Sequence, residues 1–175
     1  SLASAAVGDL DGDGSLEIVS DSYTLQGSPV GHVYAWHADG AVVTGFPVML
    51  LGSPASLGPA LVDLHRDGRP RIVVSTLTQG SPVLENALYV IDGGGRIEPC
   101  FPVFYPGYGA GSPTAADIDG DGYAEVIVAG GTVSPFAPTV QAYHGDGSMA
   151  IGFPVAFTHS TSFGNNAGCP VGDLD

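Results

Sequence analysis

The sequence predicts an all-β fold built from repeated four-stranded antiparallel sheets. The 175 residues include 27 glycines and 14 prolines, which interrupt the backbone too often for a helical protein. No window shows a sustained hydrophobic period of about 3.6 residues, which is the period of an α-helix. Two sequence markers recur along the chain with one common spacing, and this indicates an internal repeat.

The first marker is an acidic loop of the form D-x-D-G-D-G-x-x-E. It is complete at residues 9–17 and 117–125, altered at residues 63–71, and begins again at Asp173 and Asp175. The loops start at positions 9, 63, 117 and 173, so their spacings are 54, 54 and 56 residues. Repeats of about 20–50 residues are typical of solenoids, propellers and arrays, and this spacing lies just above that range.

The second marker is a 16-residue segment that ends in Phe-Pro-Val. Its three copies are residues 33–48, 88–103 and 140–155. Because two independent markers share one period, the chain is divided into repeats at residues 1–50, 51–104 and 105–158. Residues 159–175 are the start of a fourth repeat.

Each repeat carries signals for four strands. In the first repeat, the small residues at 5–8 predict the first strand, and the β-rich run at 16–20 predicts the second. Alternation at 31–36 predicts the third strand, and Asp39-Gly40 supplies the hairpin turn before a short fourth strand. Four antiparallel strands make one propeller blade. We therefore expect about three blades and the start of a fourth, forming part of a larger propeller.

The position of each strand within a blade also follows from its residues. The small residues of the first strand suit the crowded innermost position, and the proline of the fourth strand suits the outer edge, where no N–H is needed for the ladder. A closed propeller has about 4–8 blades. The chain is therefore expected to be a portion of a longer protein or to associate with copies of itself, and each terminal blade is expected to expose an apolar face.

The acidic loops are candidate calcium sites, because calcium takes about 6–8 hard oxygen ligands and glycine permits the sharp turn between them. Asp and Gly also make ordinary turns, but four carboxylates within nine residues repel one another unless a cation is present. The predicted ligands are Asp9, Asp11, Asp13, the Ser15 carbonyl and Glu17 in the first loop, and Asp117, Asp119, Asp121, the Tyr123 carbonyl and Glu125 in the third. Asp173 and Asp175 would begin a fourth site.

The second loop departs from this pattern. It keeps Asp63 and Asp67, but His65 stands at the third position and Arg71 replaces the closing glutamate. The hard-oxygen ligand set is therefore broken. Our hypothesis is that a guanidinium takes the place of the ion here, with Arg71 paired to Asp63 or Asp67.

Charge and motifs exclude several classes of protein. The formal net charge is -14, with 18 acidic residues against 4 basic ones, so the chain lacks the clustered cations that nucleic-acid binding needs. A hydrophobic content of 44% argues against a disordered acidic tail.

No apolar run approaches the ~18 residues of a membrane span. Known hydrolase, zinc-protease and phosphate-loop motifs are missing, so no catalytic set is visible. Cys100 and Cys169 allow at most one internal disulfide.

The acidic loop with its flanking strands resembles the FG-GAP and VCBS repeats of integrin-like β-propellers, and of their bacterial secreted type in particular. The start of that motif is present as Phe163-Gly164, and in altered form as Leu57-Gly58 and Tyr108-Gly109. The resemblance implies structural calcium in the acidic loops and an extracellular or cell-surface location. It also implies a role in adhesion, glycan binding or scaffolding.

Two classes of function remain open at this point. The first is a non-catalytic, calcium-stabilised module that binds a protein or glycan ligand. The alternative is the propeller portion of a secreted carbohydrate-active enzyme such as a polysaccharide lyase. The lack of a visible acid–base pair favours the first class.

Overall fold

The computed structural model describes residues 4–22, 30–54, 58–78, 85–106, 111–133 and 136–156. Within these ranges the chain forms strands and turns and no helix. The strands are β1 (Ala5–Gly8), β2 (Glu17–Ser22), β3 (Val30–Trp36), β4 (Val48–Leu51), β5 (Ser53–Pro54), β6 (Ala60–Val62), β7 (Arg71–Thr78), β8 (Glu85–Ile91), β9 (Val103–Pro106), β10 (Thr114–Ala116), β11 (Glu125–Val133), β12 (Phe136–Tyr143) and β13 (Val155–Ala156). The prediction of an all-β fold is confirmed. No described helix is long and apolar enough to cross a membrane.

The strands form three antiparallel sheets, one for each predicted repeat. The first sheet has the order β1-β2-β3-β4 and the third has the order β10-β11-β12-β13. The second follows β5-β7-β8-β9, and β6 pairs with β7 beside β5. Equivalent residues also share one register, as shown by the pairs Ile18–Trp36, Ile72–Ile91 and Val126–Tyr143. The internal repeat read from the sequence is therefore a repeat of structure.

The hydrophobic core lies between the faces of successive sheets. One cluster joins Val19, Val33 and Leu50 of the first sheet to Ile72, Val74 and Tyr89 of the second. A second cluster joins Val73, Leu88 and Tyr105 of the second sheet to Val126, Val128 and Tyr143 of the third. Successive residues of β7 point to opposite faces, so Val73 faces the third sheet while its neighbours face the first. Each buried aliphatic side chain contributes about 1.5–3 kcal/mol to this packing.

The first strands of the three repeats lie side by side, and their small residues permit this. Strand β6 contacts both β1 and β10. A Cβ built on Gly8 would lie 2.8 Å from Cδ1 of Leu61, so a larger residue on β1 would displace the Leu61 side chain of the neighbouring strand. Each proline of the Phe-Pro-Val segments directly precedes the last strand of its sheet, at the opposite edge. Phe46 is buried in the cluster between the first two sheets.

The outer face of the first sheet is apolar and exposed. Val7, Ile18, Met49 and Leu51 lie on the side opposite the core cluster, and their exposed fractions are 56%, 41%, 61% and 59%. The prediction of an exposed apolar face is therefore confirmed for this terminal sheet. Patches of this kind are typical of interaction surfaces.

Candidate metal centre

The first acidic loop connects β1 to β2 and is organised around the carboxylate of Asp9. This carboxylate accepts three backbone hydrogen bonds, from the N–H groups of Gly12 (2.7 Å), Asp13 (3.1 Å) and Gly14 (2.9 Å). These bonds wrap the loop backbone around one side chain, which is how Asp commonly organises a tight turn.

The third acidic loop connects β10 to β11 and repeats this arrangement. Asp117 accepts hydrogen bonds from the N–H groups of Gly120 (2.7 Å) and Gly122 (2.8 Å), which stand at the same positions as Gly12 and Gly14. In each loop the third aspartate also accepts a hydrogen bond from the backbone two residues later, Asp13 from Ser15 and Asp121 from Tyr123. Two loops that are 108 residues apart (117 − 9) therefore hold their carboxylates in the same way.

Three carboxylates converge in each complete loop. Oxygen atoms of Asp9, Asp11 and Asp13 all lie within 4.8 Å of one another, and those of Asp117, Asp119 and Asp121 do the same. Ligands that bind one calcium ion at about 2.3–2.6 Å are at most about 5 Å apart. The donor type and the spacing therefore fit a calcium ion. The hydrogen bond from Ser15 holds the pKa of Asp13 below its ordinary value, which favours the charged form that a cation needs.

The two glutamates predicted to close the sites are buried at the base of the loops. Glu17 accepts a hydrogen bond from the N–H of Leu10 (2.9 Å), and its other oxygen lies 3.2 Å from Nδ1 of His37. It is 1% exposed and lies outside the group formed by the three aspartates. The geometry thus gives Glu17 a role in fixing the loop. Its role as a cation ligand, like that of the Ser15 carbonyl, remains a prediction.

Glu125 repeats these contacts in the third repeat. It accepts a hydrogen bond from the N–H of Ile118 (2.9 Å) and lies 3.1 Å from Nδ1 of His144. Here an oxygen of Asp119 also comes within 4.8 Å of ligand atoms of Glu125 and His144. The third loop therefore brings its glutamate toward the aspartates. The role of the Tyr123 carbonyl remains a prediction.

The contact of a histidine with each loop glutamate was not predicted from the sequence. His37 and His144 stand at the same repeat position beside the hairpin turn, a position typical of surface residues. In the structure each contacts a buried glutamate. The sequence does contain an indication of this contact, because a histidine stands at this position only in the two repeats that also have the loop glutamate.

The altered second loop holds an arginine in place of the glutamate. Arg71 donates from both terminal nitrogens to the carboxylate of Asp67, at 3.0 and 2.9 Å, and from Nε to Glu98 at 2.7 Å. Of the two partners considered for Arg71, the structure shows Asp67. This double hydrogen bond holds the pKa of Asp67 well below its usual range. Asp63 instead accepts hydrogen bonds from the backbone of its own loop.

Glu98 is a second site residue that was not predicted from the sequence. It stands at the position of Val43 and Ala150, and its side chain is 17% exposed. One of its oxygens accepts from Arg71 and the other lies 3.5 Å from Nε2 of His65. The second repeat thus has an arginine–glutamate pair where the other two have a glutamate–histidine contact, and the residue at the start of the second strand changes from glutamate to arginine.

The second loop nevertheless keeps the backbone shape of the other two. Arg66 has a φ of 54°, and the equivalent Gly12 and Gly120 have φ values of 82° and 80°. A left-handed conformation is unfavourable for a residue with a Cβ, by roughly 1–2 kcal/mol. Arg66 nevertheless adopts this conformation. The second loop therefore keeps the backbone geometry of the other two loops, although it lacks the complete set of aspartates.

The first two loops are each covered by the hairpin of the next repeat. A Cβ built on Gly93 would lie only 2.1 Å from the carbonyl oxygen of Leu10, so the second hairpin rests directly on the first loop. Leu10 and the equivalent Leu64 are each 1% exposed, and Gly145 of the third hairpin lies beside Leu64. The first two loops therefore also connect neighbouring sheets.

The remaining predicted site residues lie elsewhere. Asp173, Asp175, Cys169 and the Phe163-Gly164 start of the repeat motif are outside the described residues. Cys100 is exposed and free. No family model, curated protein or solved structure matches this chain.

Proposed function

We propose that this chain is part of a non-catalytic, extracellular β-propeller module in which calcium ions have a structural role and which binds a protein or glycan ligand. The observation that carries the proposal is the pair of acidic loops with matching geometry. In both, three carboxylates converge within the distance that one calcium ion spans. Face-to-face packing of three antiparallel sheets of four or five strands in chain order supports the propeller architecture.

The first and third loops are the proposed calcium sites. Asp9, Asp11 and Asp13 hold one ion and Asp117, Asp119 and Asp121 hold the other, with the Ser15 and Tyr123 carbonyls and the two glutamates completing the sets. A bound ion supplies positive charge that offsets the repulsion between the carboxylates. The second loop holds no ion, because the guanidinium of Arg71 already supplies a positive charge to Asp67.

Calcium in these loops stabilises the fold in two ways. Each loop joins the first two strands of its sheet, so an ion that fixes the loop also fixes that strand pair. The first loop in addition supports the hairpin of the second sheet through Leu10. An ion that binds only the folded chain contributes about 2.7 kcal/mol when its free concentration is 100 times its Kd.

Substitution of the first aspartate of each loop tests the proposal. Asp9→Asn and Asp117→Asn remove a central carboxylate from a complete loop, and Asp63→Asn makes the same change in the altered loop. Isothermal titration with calcium should show two sites in the wild-type chain and in Asp63→Asn, and one site in each of the other variants. Loss of a calcium site in Asp63→Asn, or two sites in all variants, would contradict the assignment.

The interaction role needs its own measurement. Binding of the calcium-loaded chain to an array of glycans, compared with binding after a chelator is added, tests the glycan ligand. Incubation with pectin-like polysaccharides tests the alternative of a carbohydrate-active enzyme, which would release shortened products. The mass of the chain in solution distinguishes self-association from a single copy.

A further inference from the structure

The arginines of the second loop approach both complete acidic loops. Three of the four arginines of the chain, Arg66, Arg69 and Arg71, lie in this one loop. Arg71 is bound within its own repeat by Asp67 and Glu98. The other two extend in opposite directions toward the neighbouring repeats.

Arg66 extends toward the third loop. A Cβ built on Gly122 would lie 2.6 Å from Nη1 of Arg66, so the guanidinium lies against the backbone of that loop. Its Cζ atom is also 5.8 Å from the centre of the Tyr123 ring, within the range of a cation–π contact. Gly122 donates its N–H to Asp117, so the charge of Arg66 lies beside the segment that holds the first aspartate of the site.

Arg69 extends toward the first loop. A Cβ built on Gly12 would lie 3.4 Å from Nε of Arg69. Arg69 and Asp11 also line the same polar cleft of about 380 Å³ between the first and second repeats. Gly12 donates its N–H to Asp9, so Arg69, like Arg66, lies beside a glycine whose N–H is bound by the first aspartate of a complete loop, although the two glycines stand at different loop positions.

Neither guanidinium forms a close ion pair with a carboxylate of the described residues. Within the described ranges, the ion pairs shorter than 4.0 Å that involve an arginine are both formed by Arg71. The positive charges of Arg66 and Arg69 therefore act on the carboxylates of the neighbouring loops over a longer distance, through solvent. Such interactions are real but modest, and salt screens them.

We propose that Arg66 and Arg69 are counter-cations of the third and first acidic loops. They stabilise these loops when no ion is bound, and they weaken the binding of calcium because the positive charges repel. The second loop, which holds no ion itself, thus sets the calcium affinity of both neighbours. The calcium part of this inference rests on the proposed function, whereas the stabilisation of the ion-free loops does not.

A crossed pair of variants tests the calcium part. Arg66→Gln and Arg69→Gln remove the same charge from the same loop, so each is the control for the other. Each is made in chains that keep one site, with Asp9→Asn leaving the third and Asp117→Asn leaving the first. Isothermal titration should show calcium binding to the third site about twofold to fivefold more tightly in Arg66→Gln and unchanged in Arg69→Gln, with the reverse at the first site.

A conservative substitution distinguishes the effect of the positive charge of Arg66 from the effect of its side-chain shape. Arg66→Lys keeps the positive charge and should keep the wild-type calcium affinity of the third site. Equal tightening at both sites in both variants would show an effect of net charge alone and would overturn the proposal. Unchanged affinity in both variants would overturn it too, while leaving the calcium sites themselves in place.

The ion-free protein gives a readout that does not need calcium. With a chelator at low salt, Arg66→Gln and Arg69→Gln should each melt below the wild type, and the difference should vanish near 1 M salt, where the Debye length is about 3 Å. If the wild type binds no calcium, the proposed function is wrong. The melting temperatures of the ion-free variants then test whether Arg66 and Arg69 stabilise the acidic loops. Equal melting temperatures at low salt would then overturn the inference.

Discussion

Replacement of Gly93 by alanine should weaken the contact between the second hairpin and the first acidic loop. The new Cβ would lie 2.1 Å from the carbonyl oxygen of Leu10 and 2.8 Å from its carbonyl carbon, distances that real Cβ atoms essentially never show. Both neighbours are backbone atoms, so no side-chain rotation relieves the collision. The hairpin must move away from the loop, and such overpacking costs about 1–3 kcal/mol.

Gly94 offers a matched control one residue away. A Cβ there meets only Oδ1 of Asp92, at 3.4 Å, and neither glycine is among those with a positive φ. Gly94→Ala should therefore be neutral or more stable by about 0.4–1 kcal/mol, because alanine restricts the unfolded chain. Since 1 kcal/mol shifts Tm by about 2–4 °C in a chain of this size, Gly93→Ala should melt roughly 2–12 °C below wild type.

Thermal unfolding followed by circular dichroism measures this difference, and urea titration gives the free energy of unfolding at one temperature. Calcium titration supplies a second readout, because displacement of Leu10 should weaken the first site and leave the third unchanged. Equal stability of Gly93→Ala and Gly94→Ala would refute the inference that the hairpin rests on the first loop.

Three other changes test separate features. Removal of calcium by a chelator should lower Tm by roughly 10–20 °C if both sites are loaded at 100 times their Kd, and an unchanged Tm would contradict a structural role. Arg71→Leu leaves Glu98 and Asp67 without their guanidinium and should cost about 1–3 kcal/mol in urea unfolding, with Arg71→Lys intermediate; no loss would show that the pair is dispensable. Burial raises the pKa of Asp21 to about 6, and one of its oxygens has no hydrogen-bond partner. The carboxyl therefore contributes stability below about pH 4 that is lost as the pH rises through 6. Asp21→Asn should match the wild type near pH 4 and exceed it by about 1–2 kcal/mol at pH 7, and parallel pH profiles would contradict this.

The repeat period and the strand order could be predicted from the sequence because both depend on local signals. The acidic loop marks the turn between the first two strands, and Phe-Pro-Val marks the last strand at the edge. The choice of Asp67 over Asp63 as the partner of Arg71 could not be predicted. It depends on the direction of a side chain after the loop has folded, when Asp63 is already occupied by backbone N–H groups.

Contacts between residues far apart in the chain could not be predicted from the sequence for a different reason. Glu98 reaches Arg71 because the hairpin places it beside the start of β7, and Gly93 meets Leu10 only because the sheets pack face to face. The pairing of His37 with Glu17 is an intermediate case. The same two residue types recur together as His144 and Glu125 in the third repeat, and both are missing from the second. Comparison of the repeats could therefore have predicted the contact, although neither residue alone indicates a partner.

The number of calcium ions bound to each chain tests the central claim most directly. The purified chain is dialysed against buffered calcium at low millimolar concentration, and bound metal is counted by atomic emission and by native mass spectrometry. We predict two ions in each chain, held by the loops of Asp9 and Asp117. No bound calcium, or a further ion at full occupancy in the loop of Asp63 and Arg71, would contradict it.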